Sequence, residues 1–260
     1  MIEPLRITSY LDGVYIDVAF LFQSHLFGIL PFHSPYQFLA ADVDQNQIID
    51  LRDMTAIQEL ILGRINEFPN SSPSWTFISK HHKFIEPTNP WIETIPSTRF
   101  FPLLNEDRNY IDFYGIKMGD IDTSGRYNLE HRTTEYLYTS NQAFETGEVL
   151  TIPFFADDLL GFQGELAFDS GLLEFLSLNA TARHFINDIN AQNGKMTIAW
   201  LNNESEKGNN EPIFTLQFRA KRTGELKNNL WLESVNTPNL AVDKHFQISS
   251  IALHIKDSEI

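Results

Sequence analysis

Asp42-Val43-Asp44-Gln45-Asn46-Gln47-Ile48-Ile49-Asp50-Leu51-Arg52-Asp53 sets the strongest constraint on this chain. Oxygen-bearing side chains fall at positions 1, 3, 5, 9 and 12 of twelve, with an apolar residue at position 8. Calcium takes six to eight oxygens at roughly 2.3–2.6 Å, and this spacing gathers them from one short stretch of backbone. Asp42, Asp44 and Asn46 are expected to give one oxygen each, and Ile48 its carbonyl. Asp50 is expected to act directly or through water, and Asp53 to close the site from the first turn of a following helix. Ile49 is expected to point inward. A simpler alternative is an acidic turn that caps a helix, since Asp and Asn are ordinary turn and N-cap residues. Position 6 is Gln47 where glycine is usual, at a backbone cost of about 1–2 kcal/mol if that residue is left-handed.

The helix after the loop repeats an earlier one. Met54, Ile57, Leu60 and Ile61 share one face at helical spacing, and Gly63 ends the segment. Thirty-five residues upstream, Phe22, Gln23, Leu26 and Gly28 stand in register with Ile57, Gln58, Ile61 and Gly63. The loop of this first repeat is degraded. Ile7, Ser9, Leu11, Tyr15 and Val18 occupy the ligand positions, and Asp12-Gly13 keeps only a turn, so no calcium is expected there. Residues 30–41 carry Pro31 and Pro35 and are expected to run extended between the repeats. A third acidic stretch, Asp120-Ile121-Asp122-Thr123-Ser124-Gly125, opens like another calcium loop, but Tyr127 and His131 stand at positions 8 and 12.

The loop and helix, D-V-D-Q-N-Q-I-I-D-L-R-D followed by M-T-A-I-Q-E-L-I-L-G, resemble a dockerin repeat, the loop-helix half of an EF-hand. From residue 14 to 125 the order of short motifs (helix-Gly, S-P-Y, A-A-D-V-D, E-F-P-N, S-W-T-F, N-P-W, G-I-K-M-G-D-I-D) is similar to a dockerin-type module of large secreted proteins of Bacteroidetes-like bacteria. Residues 66–118 read as ordered irregular structure with short strands. Trp75, Phe77, Phe84, Trp91, Phe100 and Phe101 are too apolar for a free linker, and most are expected in a core.

Beyond about residue 133 the pattern alternates with period two. Segments 149–155, 161–169, 172–175, 195–201, 213–220, 230–235 and 246–255, separated by turns such as Asn193-Gly194 and the polar loop 202–210, predict an antiparallel two-sheet sandwich. G-F-Q-G-E-L-A-F-D-S-G-L-L-E-F, G-K-M-T-I-A-W-L and P-I-F-T-L-Q-F-R-A-K resemble a cohesin-like sandwich, a superfamily that includes carbohydrate-binding modules. The expected class is therefore a multidomain α plus all-β chain. A small helical dockerin-like domain with an irregular aromatic-rich extension spans 1–128, and an antiparallel cohesin-like β-sandwich spans 133–258.

Composition narrows the function. The 260 residues carry a formal net charge of −15, which argues against nucleic acid and anionic membranes as partners. No cysteine is present, which removes disulfides, thiol catalysis and thiolate metal sites. No run reaches the roughly 20 apolar residues of a membrane-spanning helix. The start lacks a signal-peptide pattern, so export would require a leader upstream of a longer parent. No Gly-x-Ser-x-Gly elbow, phosphate loop or His-Glu-x-x-His occurs. His81-His82 reads as solvated, His25 as a satisfied core or boundary residue, and Trp200 and Trp231 as core. The chain is expected to be noncatalytic.

The resemblances imply a calcium-stabilised assembly or attachment module of an extracellular polysaccharide-active or adhesive protein. It would be secreted or on the cell surface, and would recognise a protein partner through dockerin- or cohesin-type surfaces, the two domains being candidate partners for each other. A carbohydrate-binding module of a secreted glycoside hydrolase, holding glycan on the sandwich, is the alternative.

Overall fold

The two repeats fold into helices α1 (Ile16–Leu26) and α3 (Leu51–Ile61), and a short helix α2 (Pro35–Ala41) stands between them. The computed structural model describes residues 1–101, 111–122, 133–179, 184–202, 211–235 and 237–257. The chain divides into two compact units, Met1–Tyr127 and Asn128–Ile260.

In the first unit, α1 and α3 end alike. Gly28 (φ 70°) and Gly63 (φ 68°) are left-handed, and the next residues, Ile29 and Arg64, donate their N–H back to Ser24 and Glu59. This is the wrap-back C-cap that glycine permits at no steric cost. The two helices contact each other, and Val18, Ala19 and Phe22 of α1 and Met54, Ile57, Leu60 and Ile61 of α3 are all buried. Gln23 and Gln58, the paired polar positions of the repeat, are buried as well.

Residues 35–41 correct the expectation of an extended linker. Ser34 and Gln37 form a reciprocal capping box, and Pro35 occupies the first helical position. Proline is tolerated there because its missing N–H would have no intrahelical partner, so Ser-Pro opens this helix rather than breaking it. Strands β1 (Trp75–Ser79) and β2 (Phe113–Lys117) pair antiparallel. Leu39, Ala40, Ile78 and Ile116 form a small core between α2 and this ribbon, flanked by Tyr36, Phe84, Trp91 and Ile95. Of the aromatics expected in a core, Phe84 and Trp91 are half-buried flankers of this one, Trp75, Phe77 and Phe101 are half-buried, and Phe100 is 76% exposed.

The second unit is built from β3 (Thr134–Ser140), β4 (Ala143–Phe144), β5 (Val149–Phe154), β6 (Leu159–Phe168), β7 (Leu173–Asn179), β8 (His184–Asn187), β9 (Lys195–Leu201), β10 (Phe214–Ala220), β11 (Gly224–Glu225), β12 (Leu230–Glu233), β13 (Leu240–Asp243) and β14 (Ile248–Lys256). One sheet runs β5-β10-β7; a larger one runs β3-β14-β13-β6-β9-β8, with β12 also pairing β6. Leu150, Ile152, Phe154, Phe214, Leu216 and Phe218 of the smaller sheet bury with Phe162, Leu166, Phe168, Ile198 and Trp200 of the larger. The expected sandwich is therefore present, with one correction. The pairing is antiparallel except for β3 and β14, which run parallel from Ser250↔Thr134 to Lys256↔Ser140. Most of the polar loop expected at 202–210 lies outside the described residues.

Candidate metal centre

The acidic loop joins α2 to α3. Asp42 is the C-cap of α2 and Asp50 the N-cap of α3, so a helix fixes each end. Val43, fully buried, anchors the loop from its second position, while Ile49 is only half-buried.

The side chains of Asp42, Asp44 and Asp53 converge, one oxygen of each lying within 4.8 Å of the others. All three residues are buried, at 4%, 8% and 0% exposure. Backbone donors hold them in place. Asn46 N–H donates to Asp42 Oδ1 (2.9 Å) and Asp44 Oδ1 (3.1 Å), and Gln47 N–H donates to Asp42 Oδ2 (3.0 Å). Asp53 accepts from the N–H groups of Asp44 (3.2 Å) and Asp50 (3.1 Å), so one carboxylate ties the loop's third position to its ninth. Gln47, where glycine was the usual residue, has φ 66°. The left-handed turn of a calcium loop is thus formed by a residue that pays for it in strain.

Three buried carboxylates with oxygens within 4.8 Å of one another are an electrostatic problem that a cation solves. Among the described residues, no ion pair reaches any of the three. Burial pushes the Asp53 carboxyl up to about 7, against the pull of its two backbone donors. Burial raises Asp42 as well. A divalent ion compensates such charge more fully than backbone dipoles do, and an all-oxygen donor set suits calcium or magnesium over softer metals. The residues present therefore fit a hard cation.

Asp50 has a different set of contacts. Its carboxylate accepts from Arg52 N–H (2.7 Å) and from the Arg52 guanidinium (2.8 Å to Nη2), and the latter pair holds it below the usual carboxylate range. It caps α3 and is outside the converging trio. Asn46 Oδ1 accepts from Ile48 N–H at 2.7 Å, and its Nδ2 donates to Asp44 Oδ2 at 2.8 Å. The Ile48 side chain is exposed, and its backbone N–H closes this turn.

One supporting residue was not anticipated from the sequence. Asn70, in the left-handed region at φ 58°, donates Nδ2–H to the carbonyl of Asp44 at 2.8 Å. The preceding Phe68 is 2% exposed and stands edge-on to Tyr10, which anchors the segment. Glu67-Phe68-Pro69-Asn70 was visible only as a motif in an ordered series; what it binds depends on a turn returning to the loop.

The histidines divide. His25 stacks on Phe32 (3.8 Å between centroids) and accepts the Phe32 N–H at Nδ1, a satisfied packing residue. His82 is a correction: it is packed edge-on to Phe84 and lies 3.6 Å from Glu93, with only 10% of its side chain exposed. Ser124, Gly125, Tyr127 and His131 lie outside the described residues.

On the sandwich, Trp200 is buried as expected, whereas Trp231 is 43% exposed. Tyr136 and Tyr138 stand two residues apart on β3 with ring planes 34° apart, and His254 of β14 is edge-on to both. Lys256 Nζ lies 4.2 Å above the Tyr138 ring. This is a mixed aromatic and cationic face.

No family model matches the chain, and no curated protein matches it. Solved cohesin structures are similar over about half of it. The sixth cohesin of scaffoldin B from Acetivibrio cellulolyticus, solved in complex with a dockerin, shares 14% identity at a TM-score of 0.34, covering 48% of this chain and 100% of that one. A type II cohesin domain from the cellulosome of the same organism shares 10% at 0.37, covering 47% and 92%. The cohesin module of a Clostridium perfringens family 33 glycoside hydrolase shares 9% at 0.32, covering 46% and 98%. No helix among the described residues is long and apolar enough to cross a membrane.

Proposed function

We propose that this chain is a noncatalytic, calcium-stabilised assembly or attachment module of an extracellular polysaccharide-active or adhesive protein. In this reading residues 1–128 act as a dockerin-like calcium-binding domain and residues 133–258 as a cohesin-like sandwich. Asp42, Asp44, Asn46 and Asp53 hold the ion with their side chains and Ile48 with its carbonyl, while Asp50 contributes from the cap, through water. The ion supplies structural stabilisation: binding the folded loop and not the unfolded chain shifts the folding equilibrium by mass action. The module recognises a protein partner through its dockerin- or cohesin-type surfaces.

The observation that carries this reading is the convergence of Asp42, Asp44 and Asp53, three buried carboxylates within 4.8 Å, around a loop already in its left-handed turn at Gln47. The carbohydrate-binding alternative calls for exposed aromatic rings lying in one plane. Tyr136 and Tyr138 are tilted by 34° and edged by His254, which favours protein recognition over a flat sugar platform.

The test is calcium titration by calorimetry on the chain and on the double variant Asp42→Ala/Asp44→Ala, with melting curves alongside. The expected result is a calcium site lost in the variant, together with its share of the calcium-dependent rise in melting temperature. A chain that binds no calcium refutes the metal reading, and glycan-array binding by the sandwich then decides for the alternative.

A further inference from the structure

The ribbon of β1 and β2 leaves a strand edge open. Lys80 N–H donates to the Asp112 carbonyl, and Met118 N–H to the Ser74 carbonyl. Hydrogen-bonded and non-hydrogen-bonded pairs alternate along an antiparallel ladder. Tyr114 and Ile116 therefore turn their backbone groups toward β1, and Gly115, between them and opposite Phe77, turns its N–H and C=O outward. Among the described residues β2 pairs with β1 alone, and no hydrogen bond reaches either backbone group of Gly115, which is exposed. Unpaired groups on such an edge are a template for another strand.

A cleft of about 460 Å³ follows this edge, lined by four consecutive residues of β2, Tyr114 to Lys117, and by Tyr36 and Gln37 of α2. Aromatic rings flank it on both faces of the ribbon. Tyr114 shares its face with Ile116, which packs against α2, and its ring meets that of Tyr36 at 5.5 Å between centroids and 65° between planes. Trp75 lines the cleft from the opposite face, its indole N–H donating to Thr8 Oγ1 at 2.9 Å. Gly115 leaves room for that ring, since a Cβ there would fall 3.2 Å from Phe77 Cε1 and 3.4 Å from Trp75 Cε3. A strand laid along the edge would set alternate side chains against Trp75 and against the Tyr36–Tyr114 corner.

Charge narrows the occupant. Asp120 and Asp122 also line the cleft, whereas Lys117 turns its ammonium onto the carbonyls of Tyr10 (2.8 Å) and Met118 (3.2 Å). The net charge of −15 adds to the same sign. A second copy of this chain would bring identical acids to the edge and be repelled, while a basic segment would be drawn in. We infer that the open edge of β2 takes an extended, lysine- or arginine-bearing peptide segment of a partner protein by strand addition. This surface goes beyond the reading above, which rests on the acidic loop and asks nothing of β2.

The experiment titrates the full chain, in calcium, with synthetic peptides that alternate Thr and Val around a central Lys, Arg, Ser or Glu. Calorimetry follows binding, and amide hydrogen exchange follows Gly115. The lysine and arginine peptides are expected to bind, to slow exchange of the Gly115 N–H, and to bind about tenfold or more tighter than the glutamate peptide. Gly115→Pro removes that N–H at a position outside the β1 ladder, so the variant should keep its melting transition and lose the peptides. If Gly115→Pro does not fold, exchange at Gly115 in the unmutated chain decides the question. The inference is overturned if no peptide binds, or if binding leaves Gly115 exchange unchanged. Undiminished binding by folded Gly115→Pro, or equal binding of the glutamate peptide, overturns it as well. Self-association of the unmutated chain that Gly115→Pro abolishes would do so too, because the edge would then pair with a second copy.

Discussion

Gln47→Gly is the substitution that most sharply tests how the acidic loop is built. Gln47 is exposed and sits at φ 66°, with its N–H already given to Asp42 Oδ2 at 3.0 Å. A left-handed non-glycine residue costs about 1–2 kcal/mol, and glycine returns about 0.5–1 kcal/mol of that through the greater entropy of the unfolded chain. The net gain is about 1 kcal/mol, or roughly 2–5 °C in melting temperature for a unit of this size. The turn is held by protein contacts, the Asn46 and Gln47 N–H groups on the Asp42 carboxylate, so the strain is assigned to the folded state with or without a bound cation. The variant should therefore melt higher by a similar amount in chelator and in calcium, and its calcium affinity should change by less than about threefold. Thermal melts and calorimetric titrations of both proteins measure this. An affinity gain of about tenfold with no change in the melt in chelator would show that the loop takes its shape only on binding, contrary to a preorganised loop.

The remaining predictions concern the same loop. Asp53 is raised to about 7 from 3.8, so without cation the folded chain holds more protons than the unfolded chain between about pH 4 and 7. This contribution is whole below about pH 4 and is lost as pH rises toward 7, by at most about 4 kcal/mol. Melts in chelator should show a fall across that window that Asp53→Asn flattens, while calcium affinity of the unmutated chain rises over the same range. Asp50→Ala should cost about 1 kcal/mol as a lost cap, its exposed pair with Arg52 adding little, and should leave calcium stoichiometry intact. Asn70→Ala should cost about 2 kcal/mol, half from the bond to Asp44 and half from alanine at a left-handed position. Asn70→Gly should show only the first half, by the same melts.

Regular chemistry was legible in the residues. The loop spacing, the paired Gly28 and Gly63 caps and the strands at 195–201 and 213–220 follow from turn preferences and periodicity, which act over a few neighbouring positions. The structure then supplied what distance along the chain conceals. Pro35 looked like a breaker until Ser34 and Gln37 were seen to cap it, and the parallel pairing of β3 with β14 joins segments more than a hundred residues apart. Asp50 matched the ligand pattern by spacing, yet Arg52, two residues on, takes its carboxylate. Asn70 carried no local signal at all. It matters because of a group that the fold brings to it, the carbonyl of Asp44.

The most direct measurement of calcium binding at the acidic loop is a crystal structure grown in calcium, with an anomalous difference map repeated after exchange for terbium. The expected result is a peak enclosed by the carboxylates of Asp42, Asp44 and Asp53 and the carbonyl of Ile48, with Gln47 still left-handed. A well-ordered loop with no peak between those carboxylates would contradict it, and the acidic stretch would then serve only to cap and orient α3.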